Sequence, residues 1–458
     1  MVNTTIWIKN NKKEKGGECQ MRKTLYLAFI LLFVFVLAAC SKPGSSNKEK
    51  EQDPKPQDKN NEGEVVTLEP EEGAELILWG NDEEEGEWLK FVGEKFTEEY
   101  GIPTTFEAVG HTDAPGKLQT DGPAGLGADV FMGAHDHVGN MDTAGLIYDN
   151  YFVEEYNERF MEGAMAAVSA MSDGEFTTFG FPIAIESMAL YYNKDLLDEM
   201  GFQPAETMEE LIDQSKQFME KNPGSYGFMF EPGNFYQTFA FLGGYGGYIF
   251  GENNTDPSDI GLNNEGAIKS GELMKRIQSE LLPIKVEDIT GDVINSYFNE
   301  GKLLYNFNGP WALKGYLDYG VNLGVKIMPK LENGKVPTTF SGVKALFVNS
   351  YSEYPKAATL FAQFATSDDM LLKRYEMTNQ LPPSIALLDQ QKIKENEFNY
   401  AFLEQAQYAI PMPNIPAMQH VWGGMGVAFT AIWNGEADPK EALDKGVQQI
   451  KDAIDSQN

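Results

Sequence analysis

His135-Asp136-His137 places two imidazoles at i and i+2, on one face of an extended segment, where both can reach a single metal ion. The other histidines are His111 and His420, and no third ligand stands at metal-binding spacing. Metal capture by His135 and His137 is therefore the lesser reading, and no cofactor is implied. The chain has no G-x-S-x-G elbow, no G-x-x-x-x-G-K-[ST] loop and no H-E-x-x-H pair. Both cysteines, Cys19 and Cys40, precede any stretch able to build a core, so the folded part has no disulfide framework or cysteine metal site. Carboxylates are numerous enough to hold a pair at glycosidase spacing, and a secreted glycosidase using Asp136 and Glu186 stays open. The acidic run Asp82–Glu85 reads as a solvated loop before it reads as a calcium site. Trp311 follows the turn Asn308-Gly309-Pro310, and Trp422 comes six residues after Pro416. Each either packs in the core or stands out as an aromatic platform.

The elements that must position these residues alternate between strand and helix. Glu75–Trp79 reads as a strand ending at the turn Gly80-Asn81-Asp82, and Ala128–Met132 as another. Between them Trp88, Val92, Phe96 and Tyr100 recur on one helical face, with Gly101 at the C-cap position. Thr207-x-x-Glu210 is a capping box opening a helix toward Lys221. The last helix has Asp438 as N-cap, Pro439 at its first position and the stripe Leu443, Val447, Ile450, Ile454. Alternation of this kind predicts an α/β fold with a parallel-rich sheet. The folded region is too long for one core, so two lobes with a cleft are expected.

The chain has 458 residues, with 36 Lys+Arg against 69 Asp+Glu, a net charge of −33. That balance repels nucleic acid and anionic lipid, and no nucleic-acid partner is expected. Arg22 and Lys23 precede an apolar run from Leu25 to Ala39, short of the ~20 residues of a spanning helix but suited to a signal peptide. Residues 1–39 are read as that signal, with Met21 a possible true start. The run ends in Leu37-Ala38-Ala39-Cys40, which resembles a bacterial lipobox, implying cleavage before Cys40 and lipid on its thiol. An uncleaved anchor helix is the alternative. Residues 40–70, rich in Lys, Glu, Asn and Pro, read as a flexible tether.

Four stretches in register resemble the maltose/maltodextrin-binding proteins of bacterial ABC importers: LILWGNDEEEGEWLKFVGEKF (76–96), ADVFMGAHDHVG (128–139), FPIAIESMALYYNKDLL (181–197), and FNGPW (307–311) with PNIPAMQHVW (413–422). The resemblance spans 71–458. It implies a two-lobed periplasmic-binding-protein fold with a hinge and an interlobe ligand cleft, and no enzyme activity. Its N-terminal lobe would be 71–184 plus 346–392, and its C-terminal lobe 189–339 plus 398–458. The chain crossings would lie near Ala184–Ala189, Phe340–Leu346 and Gln391–Phe398. By the same resemblance Trp311 and Trp422 stack on sugar, and Asp136 and Glu186 accept its hydroxyls. Glu83 and Glu231 are further acidic ligands, and Phe235 and Tyr236 are stacking aromatics. N-capping for Asp136 and a surface salt bridge for Glu186 are the plain alternatives.

Departures from the family pattern are Glu84 in place of a Lys, Gly133 in place of a Trp, and His137 and Gly426 each in place of an Arg. Losing a platform and cations implies a wider cleft, open to longer or cyclic dextrins or to galacto-oligosaccharide, and brings His137 into the site. The implied protein is a monomer on the outer face of the cell membrane, lipid-anchored through Cys40, handing maltodextrin to importer permease subunits.

Overall fold

The computed structural model describes residues 68–172 and 174–457. They belong to one compact unit running from Thr67 to Asn458. The signal segment, Cys40 and the tether up to residue 67 lie outside the described residues.

Strand β1 (Leu76–Gly80) is apolar and buried, and it pairs in parallel with β2 (Thr104–Ala108) and β3 (Val130–Ala134). These first strands start one or two residues later than the sequence pattern suggests. Helix α1 (Glu83–Tyr100) buries Trp88, Val92 and Phe96, while Tyr100, fourth of that row, is exposed beyond the end of the core. Gly101 closes the helix at φ 72°, a left-handed conformation that favours glycine, and its N–H reaches the Thr97 carbonyl.

Strand β4 (Phe181–Glu186) is followed after only Ser187 and Met188 by β5 (Ala189–Asn193). The two belong to different sheets. With β6 (Tyr226–Met229), β7 (Leu303–Asn308) and β8 (Leu323–Lys326), β5 forms a second sheet of order β8-β5-β7-β6. The chain then returns to the first sheet as β9 (Phe340–Val348), joined at its start by the short β10 (Ile410–Pro411). Strand β9 runs antiparallel to β3 and to β4, with a bulge between Lys344 and Ala345. Parallel pairing joins β1 to β2 and β3, β9 to β10 and β7 to β6, and the remaining pairs of the two sheets are antiparallel. Strands arriving from the other sheet enter in the opposite sense, and both sheets are mixed. Ser187 and Thr339, both buried, share a 2.9 Å hydroxyl hydrogen bond that clasps the two crossing segments. Residues 391–398 are not extended but lie in the helical pieces Gln391–Lys394 and Glu397–Ala406.

Among the remaining helices are α2 (Met208–Lys221), α3 (Phe235–Gly244), α4 (Asp368–Thr378) and α5 (Met418–Trp433). The final helix, α6 (Pro439–Gln457), buries Leu443, Val447 and Ile450.

Helix α2 carries the capping box in full. The Thr207 hydroxyl accepts the Glu210 N–H at 3.2 Å, and the Glu210 carboxylate accepts the Thr207 N–H at 3.2 Å. Thr207→Ala is expected to lower the unfolding free energy by about 1 kcal/mol, because a helix N–H loses its acceptor. A denaturant midpoint equal to that of the parent would show the cap to be idle.

Candidate functional site

A cavity of about 710 Å³ opens between segments drawn from both sheets. The start of α1 supplies Asn81 to Glu85, the turn after β3 supplies Ala134, Asp136 and His137, and β4 ends in it at Glu186. From the other side come Tyr236 at the start of α3, Trp311 after β7 and Trp422 on α5. Strand β9 crosses the cavity wall with Gly342, Val343 and Lys344.

Of the residues singled out in the sequence, Glu83, Asp136, His137, Glu186, Tyr236, Trp311 and Trp422 all line this cavity. Two do not. Phe235 is buried behind the wall, packed on Phe239, Phe429 and Trp422. Glu231 is occupied with the side chain of Gln237, which donates to its carboxylate at 2.9 Å and accepts its N–H at 2.8 Å. Both belong to the support of helix α3.

Trp311 and Trp422 differ from the other tryptophans of the described residues. Trp79, Trp88 and Trp433 are fully buried, whereas Trp422 is half-buried and Trp311 is 37 % exposed. Gly309 makes the Trp311 pose possible, since a Cβ there would lie 2.1 Å from the indole ring. Tyr236 stands beside Trp311, ring centroids 6.2 Å apart, and Phe340 fills the space behind, 5.7 Å from Tyr236 and 5.8 Å from Trp422. The Trp422 indole N–H donates to Asp136 Oδ2 at 3.0 Å, so platform and carboxylate fix each other. His137 Nε2 stands 3.9 Å from the same oxygen. Asp136 lies in a 3-10 turn and makes no capping bond, and Glu186 forms its salt bridge with Lys344 inside the cavity and not at the surface.

The acidic run proves heterogeneous. Asp82, the N-cap of α1, and Glu83, its first residue, are exposed at the rim, where the helix dipole favours negative charge. Glu83 adopts φ 56°, a left-handed conformation costly for a residue with a Cβ, typically by about 1 kcal/mol or more. Glu85 points inward and is buried. Its Oε1 accepts from Lys344 Nζ at 2.7 Å, from Arg374 Nη2 at 3.3 Å and from the Gln380 amide, and its Oε2 accepts from the Asn81 amide. Burial pushes the Glu85 carboxyl up, but the Lys344 ammonium and Arg374 guanidinium outweigh that and hold it well below the ordinary 4.5. Burial likewise opposes charge on Lys344, and Glu186 with Glu85 raises it above the ordinary 10.5.

Lys344 Nζ also lies 3.0 Å from Glu186 Oε1, as an ion pair off the line of a hydrogen bond. Glu186 Oε1 and the Tyr236 hydroxyl are buried oxygens with no hydrogen-bond partner. Burial, then Glu186 and Asp136, push the Tyr236 phenol well above 10, so it keeps its proton as a donor. A glycine at 342 leaves the space between them, because a Cβ there would meet the Tyr236 hydroxyl at 3.3 Å and Glu186 Oε2 at 3.7 Å.

Asn81 donates its amide to Glu85, which turns its oxygen toward His111, whose N–H and Nδ1 lie 2.8 and 3.0 Å away. Nδ1 therefore carries the proton, leaving Nε2 as an acceptor. Burial and then Lys344 lower the His111 imidazole to about 3, and it is neutral.

His135 is fully buried and spends both nitrogens on backbone, Nδ1 accepting the Val343 N–H at 3.0 Å and Nε2 facing the Met412 carbonyl at 3.2 Å. It is a structural clasp on β9, which removes the metal pairing with His137. Among the described residues no group of three metal-holding side chains comes together. Gly133 faces Phe347, which a Cβ would meet at 3.0 Å, so a side chain there would enter the core. Its effect on cleft width is therefore not the one expected from the sequence. Gly426 lies on α5 beside the Gly233 carbonyl, outside the cavity lining.

Lys344, Arg374, Gln380 and His111 went unread in the sequence. Lys344 alone left a signal, as the single charge inside the apolar run FSGVKALFV.

Residues 92–399 match the family described as bacterial extracellular solute-binding protein. The chain is similar to a galactooligosaccharide-binding protein of Bacillus subtilis, 33 % identical over 83 % of this chain and 90 % of that one. It is similar to a maltooligosaccharide ABC transporter solute-binding lipoprotein of Streptococcus pneumoniae, 29 % identical over 95 % and 97 % of the two chains. Its fold matches a cyclo/maltodextrin-binding protein complexed with maltotetraose at a TM-score of 0.69 and 35 % identity, covering 83 % and 97 % of the chains.

The depressed Glu85 carboxyl contributes stability in full above its ordinary 4.5 and loses it as pH falls through the folded value. Glu85→Gln is expected to cost ~3–5 kcal/mol near pH ~7, with the deficit shrinking as pH falls below the carboxylate range. Urea midpoints of parent and variant across that range check it. A deficit that stays constant with pH would mean that charge is not its cause.

Proposed function

The chain belongs to the bacterial extracellular solute-binding family, whose members are binding proteins and not enzymes, and on that premise we propose that it is the substrate-binding protein of an ABC sugar importer, capturing an oligosaccharide of the maltodextrin type. The glycosidase reading is set aside with the family.

The observation that carries the proposal is the joint presence, in one cavity, of two indole platforms and a buried, unpartnered acceptor and donor, Glu186 Oε1 and the Tyr236 hydroxyl. A neutral sugar ring has an apolar C–H face and a rim of hydroxyls. Trp311 and Trp422 suit the face, while Glu186, Asp136, Tyr236 and His111 suit the rim. Complete burial of an indole, ~150–250 Å² at ~25 cal/mol/Å², is worth at most ~4–6 kcal/mol, and a sugar covers one face, so ~2–3 kcal/mol per platform. A dissociation constant near ~1 µM requires about −8.2 kcal/mol. Two platforms and several charge-assisted hydroxyl bonds of ~1.5–3 kcal/mol reach it after the costs of association.

Galacto-oligosaccharide is the second reading, favoured by likeness to the Bacillus subtilis protein of that name. In this proposal the lobes comprise 71–184 plus 346–392 and 189–339 plus 398–458, and closing over sugar turns the crossing segments. Lipid on Cys40 holds the protein at the outer face of the membrane as a monomer, and the closed form docks on permease subunits. Support for the anchor is the Leu37–Cys40 motif together with likeness to a lipoprotein along nearly the whole chain.

Calorimetric titration of the unit from Thr67 onward tests the ligand, using maltotriose, cyclodextrin, galacto-oligosaccharide and cellotriose. Saturable micromolar heat with maltotriose is expected. Heat with galacto-oligosaccharide alone would transfer the proposal to that sugar, and silence with all four would remove the sugar reading. In the same assay Trp311→Ala is expected to lose ~2–3 kcal/mol of binding with little change in unfolding midpoint. Unchanged affinity would return Trp311 to a packing role.

A further inference from the structure

Arg374 on α4 is fully buried and, alone among the four charges Arg374, Glu85, Lys344 and Glu186, does not line the cavity. Only its Nη2 has partners, Glu85 Oε1 at 3.3 Å and the Gln380 side-chain oxygen at 2.9 Å, while Nε and Nη1 have none. From Glu85 the contacts continue to Lys344 at 2.7 Å and then to Glu186 Oε1 at 3.0 Å. Charge alternates along Arg374, Glu85, Lys344 and Glu186, and the four sum to zero. As an adhesive this is a poor device, since well-packed apolar side chains commonly equal or exceed a buried ion cluster in stability. Its far end is where the arrangement acquires a use. Glu186 Oε1 is charge-paired yet has no hydrogen-bond partner, and it lines the same cavity as the unpartnered Tyr236 hydroxyl.

We propose that Arg374, Glu85 and Lys344 form a positioning relay that holds the Glu186 carboxylate ready for a ligand hydroxyl, so that Arg374 governs affinity without touching the ligand. This rests on the oligosaccharide reading of the cavity. The physical basis is competition for one ammonium. Glu85 shares its charge between Lys344 and Arg374, which leaves Lys344 able to serve Glu186 as well. Without Arg374, Glu85 has Lys344 as its only cation and draws it away, and Glu186 turns from its ligand-ready pose. Arg374→Lys preserves a charge at the end of the relay, and because Nε and Nη1 make no bonds it sacrifices no hydrogen bond beyond those of Nη2.

The test is a double-mutant cycle on the full chain by calorimetry, with maltotriose, cyclodextrin and galacto-oligosaccharide as probes. Arg374→Met is expected to weaken sugar binding about tenfold when Glu186 is present, and by less than about twofold in a Glu186→Gln background. Arg374→Lys is expected to stay within about threefold of the parent. Should Arg374→Met fail to fold, the charge-balanced pair Glu85→Gln with Arg374→Met replaces it: with no charge at Glu85 to compete, Lys344 stays with Glu186, and affinity within about threefold of the parent is expected. Equal losses of Arg374→Met in both backgrounds, undiminished affinity in Arg374→Met alone, or a loss of about tenfold in the charge-balanced pair overturn the relay while leaving the sugar reading intact. A parent chain that binds none of the three sugars overturns that reading, and the relay with it.

Discussion

Glu85 sets the terms for the ligand end of the molecule. A carboxylate taken out of water must be met by opposite charge and by hydrogen bonds, or it costs several kcal/mol. Here it draws donors from four separate places: Asn81 just before α1, Lys344 on β9, Arg374 on α4 and Gln380 just after that helix. Satisfying one buried ion therefore fixes the relative placement of a helix start, a crossing strand and a helix end. The further contacts depend on those. Asn81, once committed to Glu85, orients His111 and fixes its tautomer. Lys344, once committed, brings its charge to Glu186.

Neutral ties reinforce the same strand. His135 accepts the Val343 N–H, and Thr339, just ahead of β9, bonds Ser187 in the other crossing segment. Residues that pass between the sheets thus also form the cavity wall: Glu186 is the last residue of β4, and Gly342 to Lys344 lie in β9. A ligand at this wall presses on the segments by which the two sheets communicate. Any difference in its contacts between two arrangements of those segments shifts their populations by that difference and no more.

Legibility in the sequence followed the range of the interaction. Local signals were read well. The capping box at Thr207, the closing glycine at 101 and the stripe of the last helix depend on neighbours a few residues away, and each is present. Strand direction was read less well, because a sheet that receives strands from a second sheet need not stay parallel, and nothing local records where β9 pairs. At the site, Trp311 and Trp422 were marked by turn context and resemblance, and both reach the cavity. Phe235 was assigned with Tyr236 because the resemblance places a stacking aromatic there with a register too loose to choose between the two. On a helix, however, adjacent residues point about 100° apart, so only one of the pair faces the cavity. Glu85 was hidden by its three acidic neighbours, and its partners Arg374 and Gln380 lie almost three hundred residues away. No spacing rule reaches that far.

The division of labour in the cavity arises from these constraints. The platforms come from a loop after β7 and from α5, and the ionic base comes from α1, β4, β9 and α4. Stacking uses the C–H face of a pyranose ring and is tolerant of hydroxyls that stay equatorial at its rim. Hydroxyl recognition by buried charge is intolerant, because a misplaced donor leaves Glu186 or Tyr236 unpaired at a cost of ~1–3 kcal/mol. Under the oligosaccharide proposal, affinity for the class would come chiefly from the indoles and choice among its members chiefly from the charged base. An axial hydroxyl alters the C–H face offered to an indole as well as the rim, so glucose-based and galactose-based chains differ at both. At the rim they differ in what they present to Glu186, Tyr236 and His111. On the proposed reading, the part of that discrimination made at the hydroxyl rim falls to side chains held by an ionic network whose distal member, Arg374, lies outside the cavity.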